Sequence, residues 1–188
     1  MKHDQSRLIL VLGGAQAGKS TFALRLAKDR IADGRVCFIA TLQPLDDEMT
    51  ERISRHRSER PADWNTIEEP YQLDEALHRA GESNVVIIDC LTLFVSNWLL
   101  RSEDDSESQI RRILGNVLSA IKCQSKTVIC VSNEVGLGIV PDNHMGRMFR
   151  DLLGRVNQRI AAAADEVYFL AAGLPLRLNP KDSFQQHG

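Results

Sequence analysis

The chain has 188 residues, 43% of them hydrophobic and 26% charged, with a net charge of −2. These figures fit one globular domain that buries a core without disulfide staples, and they give no basic excess of the kind nucleic-acid binding needs. No segment approaches the length of a membrane span. The short polar start, MKHDQSR, passes directly into an apolar run, so no signal peptide and a cytoplasmic location are expected.

The first predicted strand is 8–12 (LILVL), and it runs into the most informative stretch of the chain. Gly13-Gly14-Ala15-Gln16-Ala17-Gly18-Lys19-Ser20 fits G-x-x-x-x-G-K-[ST], the loop that cradles nucleoside-triphosphate phosphates. Glycines let the backbone turn its N–H groups inward, and the following helix, predicted over 19–32, adds its positive N-terminal end. Lys19 is placed to reach the β- and γ-phosphates and Ser20 to offer its hydroxyl to Mg²⁺, with Thr21 grouped among the nucleotide contacts.

A second strand follows at 36–40 (VCFIA), then a predicted helix at 46–59 with an acidic start and a basic end, which suits the helix dipole. Arg52, His56 and Arg60 recur at i, i+4, i+8, so one face presents an imidazole between two guanidiniums. Positive neighbours disfavour the charged imidazole and keep the ring neutral, as a nucleophile must be. Guanidiniums also hold phosphates by paired hydrogen bonds. The spacing alone leaves two readings: a histidine that attacks an α-phosphate, or a solvated basic helix end.

Strand 65–69, helix 71–80 and strand 84–89 come next. The last ends the run VVIID in Asp89, where a phosphate-loop protein carries the carboxylate that holds Mg²⁺. Helices are predicted at 91–101 and 107–124, then strand 127–132. The loop Asn133-Glu134-Val135-Gly136-Leu137-Gly138-Ile139-Val140-Pro141 reads as an active-site loop or an ordinary connection. Helix 144–164, strand 166–171 and a short strand near 174–178 complete a single domain, 1–180, followed by a polar tail, 181–188.

Strands alternating with helices argue for an α/β fold, a mostly parallel sheet with helices on both faces. With the phosphate loop, the fold class is that of a P-loop NTPase, RecA-like. In such sheets the ligand sits at the carboxyl ends of the strands, which selects the loops after 12, 40, 89 and 132. The four cysteines, Cys37, Cys90, Cys123 and Cys130, form no C-x-x-C pair and are expected to be small buried hydrophobes. His3, His78, His144 and His187 lack metal-site spacing, so no structural zinc is expected.

Taken together, GGAQAGKS at 13–20, DDEM and RISRHRSERP up to 61, NEVGLGIVP at 133–141, FRDLLGRVNQRIAAAADEV at 149–167 and the closing AAGLPLRL resemble a known family. It is the bifunctional adenosylcobinamide kinase / adenosylcobinamide-phosphate guanylyltransferase family of cobalamin biosynthesis. The resemblance implies phosphorylation of the aminopropanol hydroxyl of adenosylcobinamide by ATP or GTP. GMP then passes from GTP through a guanylyl-histidine to adenosylcobinamide phosphate. It places the guanylylated histidine at His56 and nucleotide contacts at 13–20, Thr41, Ser58, Glu59, Arg60, Pro61 and Glu68. It also implies a homo-oligomer, a trimer, while the net charge of −2 speaks against a nucleic-acid partner. Asp89 stands where some relatives carry Glu. The kinase base stays open among Asp46, Asp47 and Glu134. Competing readings are a kinase for another metabolite, a nucleotide switch and a DNA-dependent ATPase. The missing N-K-x-D segment weakens the switch, and net charge −2 weakens the ATPase.

Overall fold

The computed structural model describes residues 6–31, 34–43, 57 and 60–178. Seven strands form one sheet: β1 (Arg7–Gly13), β2 (Val36–Ala40), β3 (Asn65–Glu68), β4 (Val85–Asp89), β5 (Thr127–Val131), β6 (Glu166–Ala171) and β7 (Leu174–Leu178). The described helices are α1 (Lys19–Arg30), α2 (Leu73–Arg79), α3 (Leu91–Arg101), α4 (Glu103–Cys123) and α5 (His144–Ala163). The strand order is β3-β2-β4-β5-β1-β6-β7. Every neighbouring pair is parallel except the hairpin β6–β7.

The near-continuous apolar strands are explained by burial on both faces. Successive side chains point to opposite sides of a strand. Leu8, Leu10 and Leu12 of β1 therefore enter one core with Leu77, Phe94, Ile113 and Leu153 from α2, α3, α4 and α5. Ile9 and Val11 enter the other with Phe22, Ala23 and Ala27 of α1. Fully burying one such Leu, Ile or Phe contributes ~1.5–3 kcal/mol, and these two layers hold the sheet from both sides beneath its loops.

Several details depart from the sequence expectations. α4 begins at Glu103 rather than 107, because a single residue, Ser102, separates it from α3. Glu103, Asp104 and Asp105 fill its first turn, where carboxylates favour the helix dipole. α2 is trimmed to Leu73–Arg79. Cys37 and Cys130 are buried as expected, Cys90 is half-buried, and Cys123 is exposed at the end of α4. The predicted helix 46–59 and the tail 181–188 lie outside the described residues, Arg57 excepted.

One buried carboxylate fixes α1 to the sheet. Glu166, at the start of β6, accepts from Arg30 Nη2 on both oxygens, at 2.8 and 3.0 Å, and from the Tyr168 hydroxyl at 2.7 Å. Arg7 of β1 stands 3.5 Å away. Burial pushes the Glu166 carboxyl up, but the Tyr168 and Arg30 hydrogen bonds and the nearby guanidiniums outweigh it and hold it below the usual value. The helix that starts at the phosphate loop is thereby anchored at its far end.

Candidate active site

β1 runs into the phosphate loop through Gly13, whose φ is +153°. A Cβ there would lie 2.5 Å from the Leu170 carbonyl oxygen of β6, so only glycine fits. Gly18 caps α1 at φ +87°. Between them Gly14, Ala15 and Gln16 line the rim, all three exposed. Lys19, the first residue of α1, is buried, and its Nζ donates to Gly14 O at 2.5 Å. The loop thus wraps its own lysine, holding an ammonium where phosphate oxygens would enter. Ser20 is half-buried one residue further on, and Thr21 is exposed.

The neighbouring loops are stitched to the same level. Asp89 pairs in register with Ala40 on one side and Val131 on the other, and Val131 pairs with Val11. Glu134 N donates to Gly13 O at 3.1 Å, and Ser132 N to Val11 O at 3.0 Å. Thr41 N donates to Asp89 O at 3.2 Å. The Thr41 hydroxyl donates to Cys90 O and accepts from Cys90 N, each at 2.8 Å. The structure therefore brings 13–20, Thr41, Asp89 and Glu134 together along the carboxyl ends of four adjacent strands. Thr41 is fully buried, its hydroxyl engaged with Cys90.

Other predicted residues stand further along that edge. Glu68, exposed, ends β3 opposite Ala40. Four interstrand steps separate β3 from β1, roughly 19 Å at ~4.8 Å each. Arg60 is half-buried at a bend with its guanidinium 3.6 Å above the Phe38 ring centre, and Pro61 follows it. His56, Ser58, Glu59, Asp46 and Asp47 lie outside the described residues. The Glu134 carboxylate accepts from Gly136 N at 2.6 Å, folding the loop after β5 back on itself. Beyond it Leu137, Ile139 and Val140 are exposed.

Sequence reasoning missed the polar residues that hold these loops. Thr92 Oγ1 accepts from Asn133 N at 2.7 Å. The Ser132 hydroxyl donates to Asn157 Oδ1 at 2.7 Å, and Asn157 Nδ2 donates to Asn133 O at 3.0 Å. Asn97 and Tyr71 belong to the same set. For Thr92 and Asn97 the signal was a lone polar residue inside the apolar helical run LTLFVSNWLL, and Ser132, Asn157 and Tyr71 carried none.

A hydroxyl at Ser20 and a carboxylate at Asp89 are hard oxygen donors, the set Mg²⁺ takes alongside substrate phosphates and water. Among the described residues no three His, Cys, Asp or Glu side chains converge on one point. Mg²⁺ beside bound phosphates requires only one or two carboxylates. No described helix is long and apolar enough to cross a membrane.

A mostly parallel sheet with this loop at the carboxyl ends of its strands defines a P-loop nucleotide-dependent protein. Solved structures agree on the fold. One solved ATPase domain superposes with a TM-score of 0.53 at 16% identity, covering 97% of this chain and 72% of that one. Flagellar accessory protein FlaH from Methanocaldococcus jannaschii gives 0.50 at 18% identity, covering 94% and 79%. Sequence comparison goes further. The family model "Cobinamide kinase / cobinamide phosphate guanyltransferase" matches residues 9–178. The bifunctional adenosylcobalamin biosynthesis protein CobU of Escherichia coli (strain K12) is 42% identical over 183 residues, 91% of this chain and 99% of the relative. The bifunctional adenosylcobalamin biosynthesis protein CobP of Pseudomonas aeruginosa is 41% identical over 173 residues, 90% and 95% of the two chains. The chain belongs to the cobinamide kinase / cobinamide phosphate guanyltransferase family, and it is a transferase.

Proposed function

We propose that one chain carries out both steps, with the phosphate loop serving the first and the segment between β2 and β3 serving the second. The observation that carries this reading is the family match across residues 9–178, on a fold whose phosphate loop is fully built. In the first step the aminopropanol hydroxyl of adenosylcobinamide attacks the γ-phosphorus of ATP or GTP. The bond to the β-phosphate oxygen breaks, the nucleoside diphosphate leaves, and the hydroxyl proton goes to a base among Asp46, Asp47 and Glu134. Lys19 and the inward N–H groups of 13–20 stabilise the charge that builds on the transferring oxygens. Ser20 and Asp89 would hold Mg²⁺, which neutralises phosphate charge when bound.

In the second step a neutral His56 nitrogen attacks the α-phosphorus of GTP, an N–P bond forms and pyrophosphate leaves. A phosphate oxygen of adenosylcobinamide phosphate then attacks the same phosphorus and the N–P bond breaks, giving adenosylcobinamide-GDP. The covalent route divides one difficult displacement into two easier ones. Ser58, Glu59, Arg60, Pro61 and Glu68 are assigned to the nucleotide of this step, while Thr41, expected to join them, is fully buried with its hydroxyl on Cys90 and holds the exit of β2 instead. The spread of the sheet supports separate placements, since β3 and β1 stand four strands apart. Leu137, Ile139 and Val140, exposed beside the phosphate loop, offer apolar surface for the macrocycle of cobinamide. The same reading makes the protein a homotrimer acting in the cytoplasm on small molecules, with no nucleic-acid partner. The exposed edge strand β7 supports assembly, with Leu174, Leu176 and Leu178 uncovered.

The test is incubation with adenosylcobinamide, Mg²⁺ and GTP, following products by mass. Adenosylcobinamide phosphate should appear first and adenosylcobinamide-GDP with pyrophosphate second. A phosphate ester that accumulates with no GDP product would leave only a kinase.

A further inference from the structure

α3 is apolar along almost its whole length (LTLFVSNWLLR), yet Asn97 lies inside it only 5% exposed. A buried amide left without partners is destabilising, so its hydrogens must be placed. Here both hydrogens of Nδ2 are used. One goes to Thr41 O at 2.8 Å and the other to Pro70 O at 3.2 Å. These two carbonyls are the ends of one excursion of the chain. Thr41 is the first residue after β2, and Pro70 follows β3 by two residues. Everything between them in the chain, His56 and β3 included, is bracketed by a single side-chain amide.

Neighbouring contacts tie the same two ends. Trp98 Nε1 donates to Tyr71 O at 3.1 Å. Gln43 Nε2 donates to the Tyr71 hydroxyl at 3.1 Å, joining exit to return directly. The Tyr71 and Trp98 rings meet edge to face with centroids 5.5 Å apart. Thr41 in turn grips both sides of the Cys90 residue that follows Asp89. A side chain needed only for packing would be met by leucine. The amide is suited to fixing the distance between two strands of backbone.

We propose that Asn97 is a positioning residue for the guanylyl-transfer half-reaction, clamping the two ends of segment 42–69 with one amide. This rests on the assignment of GMP transfer to that segment. The phosphate loop hangs from β1, is paired with Leu170 and is held by Glu134 and its own lysine, none of which Asn97 touches, and Asn97 reaches Asp89 only at one remove, through Thr41. The clamp therefore acts on one half-reaction more than on the other.

The test compares wild type with Asn97→Asp, which keeps the shape and loses the two donors. Tyr71→Phe is the gentler variant, removing only the hydroxyl that Gln43 reaches while keeping the ring on Trp98. Three readouts are taken: the rate of covalent GMP labelling from GTP alone, the rate of ATP-dependent cobinamide phosphorylation, and the melting temperature. Misplacing a reacting group by an ångström costs up to ~10²-fold, so Asn97→Asp should slow labelling at least about tenfold and phosphorylation by less than about threefold. Tyr71→Phe should slow labelling about two- to fivefold with its melting temperature unchanged. Equal losses in both rates, or labelling at the wild-type rate, would overturn the proposal. If Asn97→Asp does not fold, Tyr71→Phe decides by the same criterion. A wild-type protein that takes no label overturns the GMP-transfer assignment itself, and the clamp with it.

Discussion

Gly13→Ala is the sharpest perturbation of the phosphate loop, because its cost can be worked from two independent terms. The added Cβ would stand 2.5 Å from the Leu170 carbonyl oxygen and 3.3 Å from its carbon. Both are backbone atoms of β6, paired in register with Gly13, so they cannot swing aside as a flexible side chain would. Overpacking of this kind costs ~1–3 kcal/mol. The φ of +153° belongs to a region held almost only by glycine, a further ~1–3 kcal/mol. Together these give about 2–6 kcal/mol, which at roughly 2–4 °C per kcal/mol in a domain of this size lowers the melting temperature by about 4–24 °C. Thermal unfolding followed by circular dichroism reads it directly. Gly14→Ala is the internal control, since a Cβ on that residue meets nothing within 4 Å. It should melt within about 4 °C of wild type. A Gly13→Ala protein that also melts within about 3 °C of wild type would refute the argument.

Glu166→Gln should lower stability near pH 7 by about 1–3 kcal/mol, less than a fully buried pair because Arg30, Arg7 and Arg177 are partly in solvent. The sign with pH follows from the depressed carboxyl. Its contribution is fully present above the unfolded value near ~4.3 and is lost as pH falls through the lower folded value. Urea unfolding should therefore show the gap between variant and wild type closing at acid pH, and a gap that persists would assign it to something other than charge. Lys19→Met keeps the buried stem and removes the ammonium. It should cut ATP-dependent phosphorylation by at least ~10²-fold, measured at saturating nucleotide, and a smaller loss would remove Lys19 from its role.

The strands were legible because burial on both faces writes itself as unbroken apolar runs. β2 and β6 fall at their predicted bounds, 36–40 and 166–171, while β7, at 174–178, is an exposed edge strand that burial does not explain. Helix starts were harder where no apolar residue marks them. The first turn of α4 is Glu103-Asp104-Asp105, which reads as loop until the dipole is considered. Strand order cannot be read from local pattern at all, since the placement of β1 between β5 and β6 is set by pairing across distant segments. The phosphate loop was plain in the sequence because its chemistry lies in eight consecutive residues. The clamp at Asn97 was not. Its partners, Thr41 and Pro70, are 56 and 27 residues away and contribute only backbone carbonyls, which leave no mark on residue identity.

If GMP passes through His56, GTP labelled at the α-phosphate must leave its label on the protein. Wild type and His56→Ala are each incubated with Mg²⁺ and labelled GTP, denatured, and freed of bound nucleotide. Label should stay on the wild-type protein, be lost in acid, survive base and be absent from His56→Ala. Label retained by His56→Ala, or none on a folded wild-type protein that binds GTP, would rule out a guanylyl-His56 intermediate.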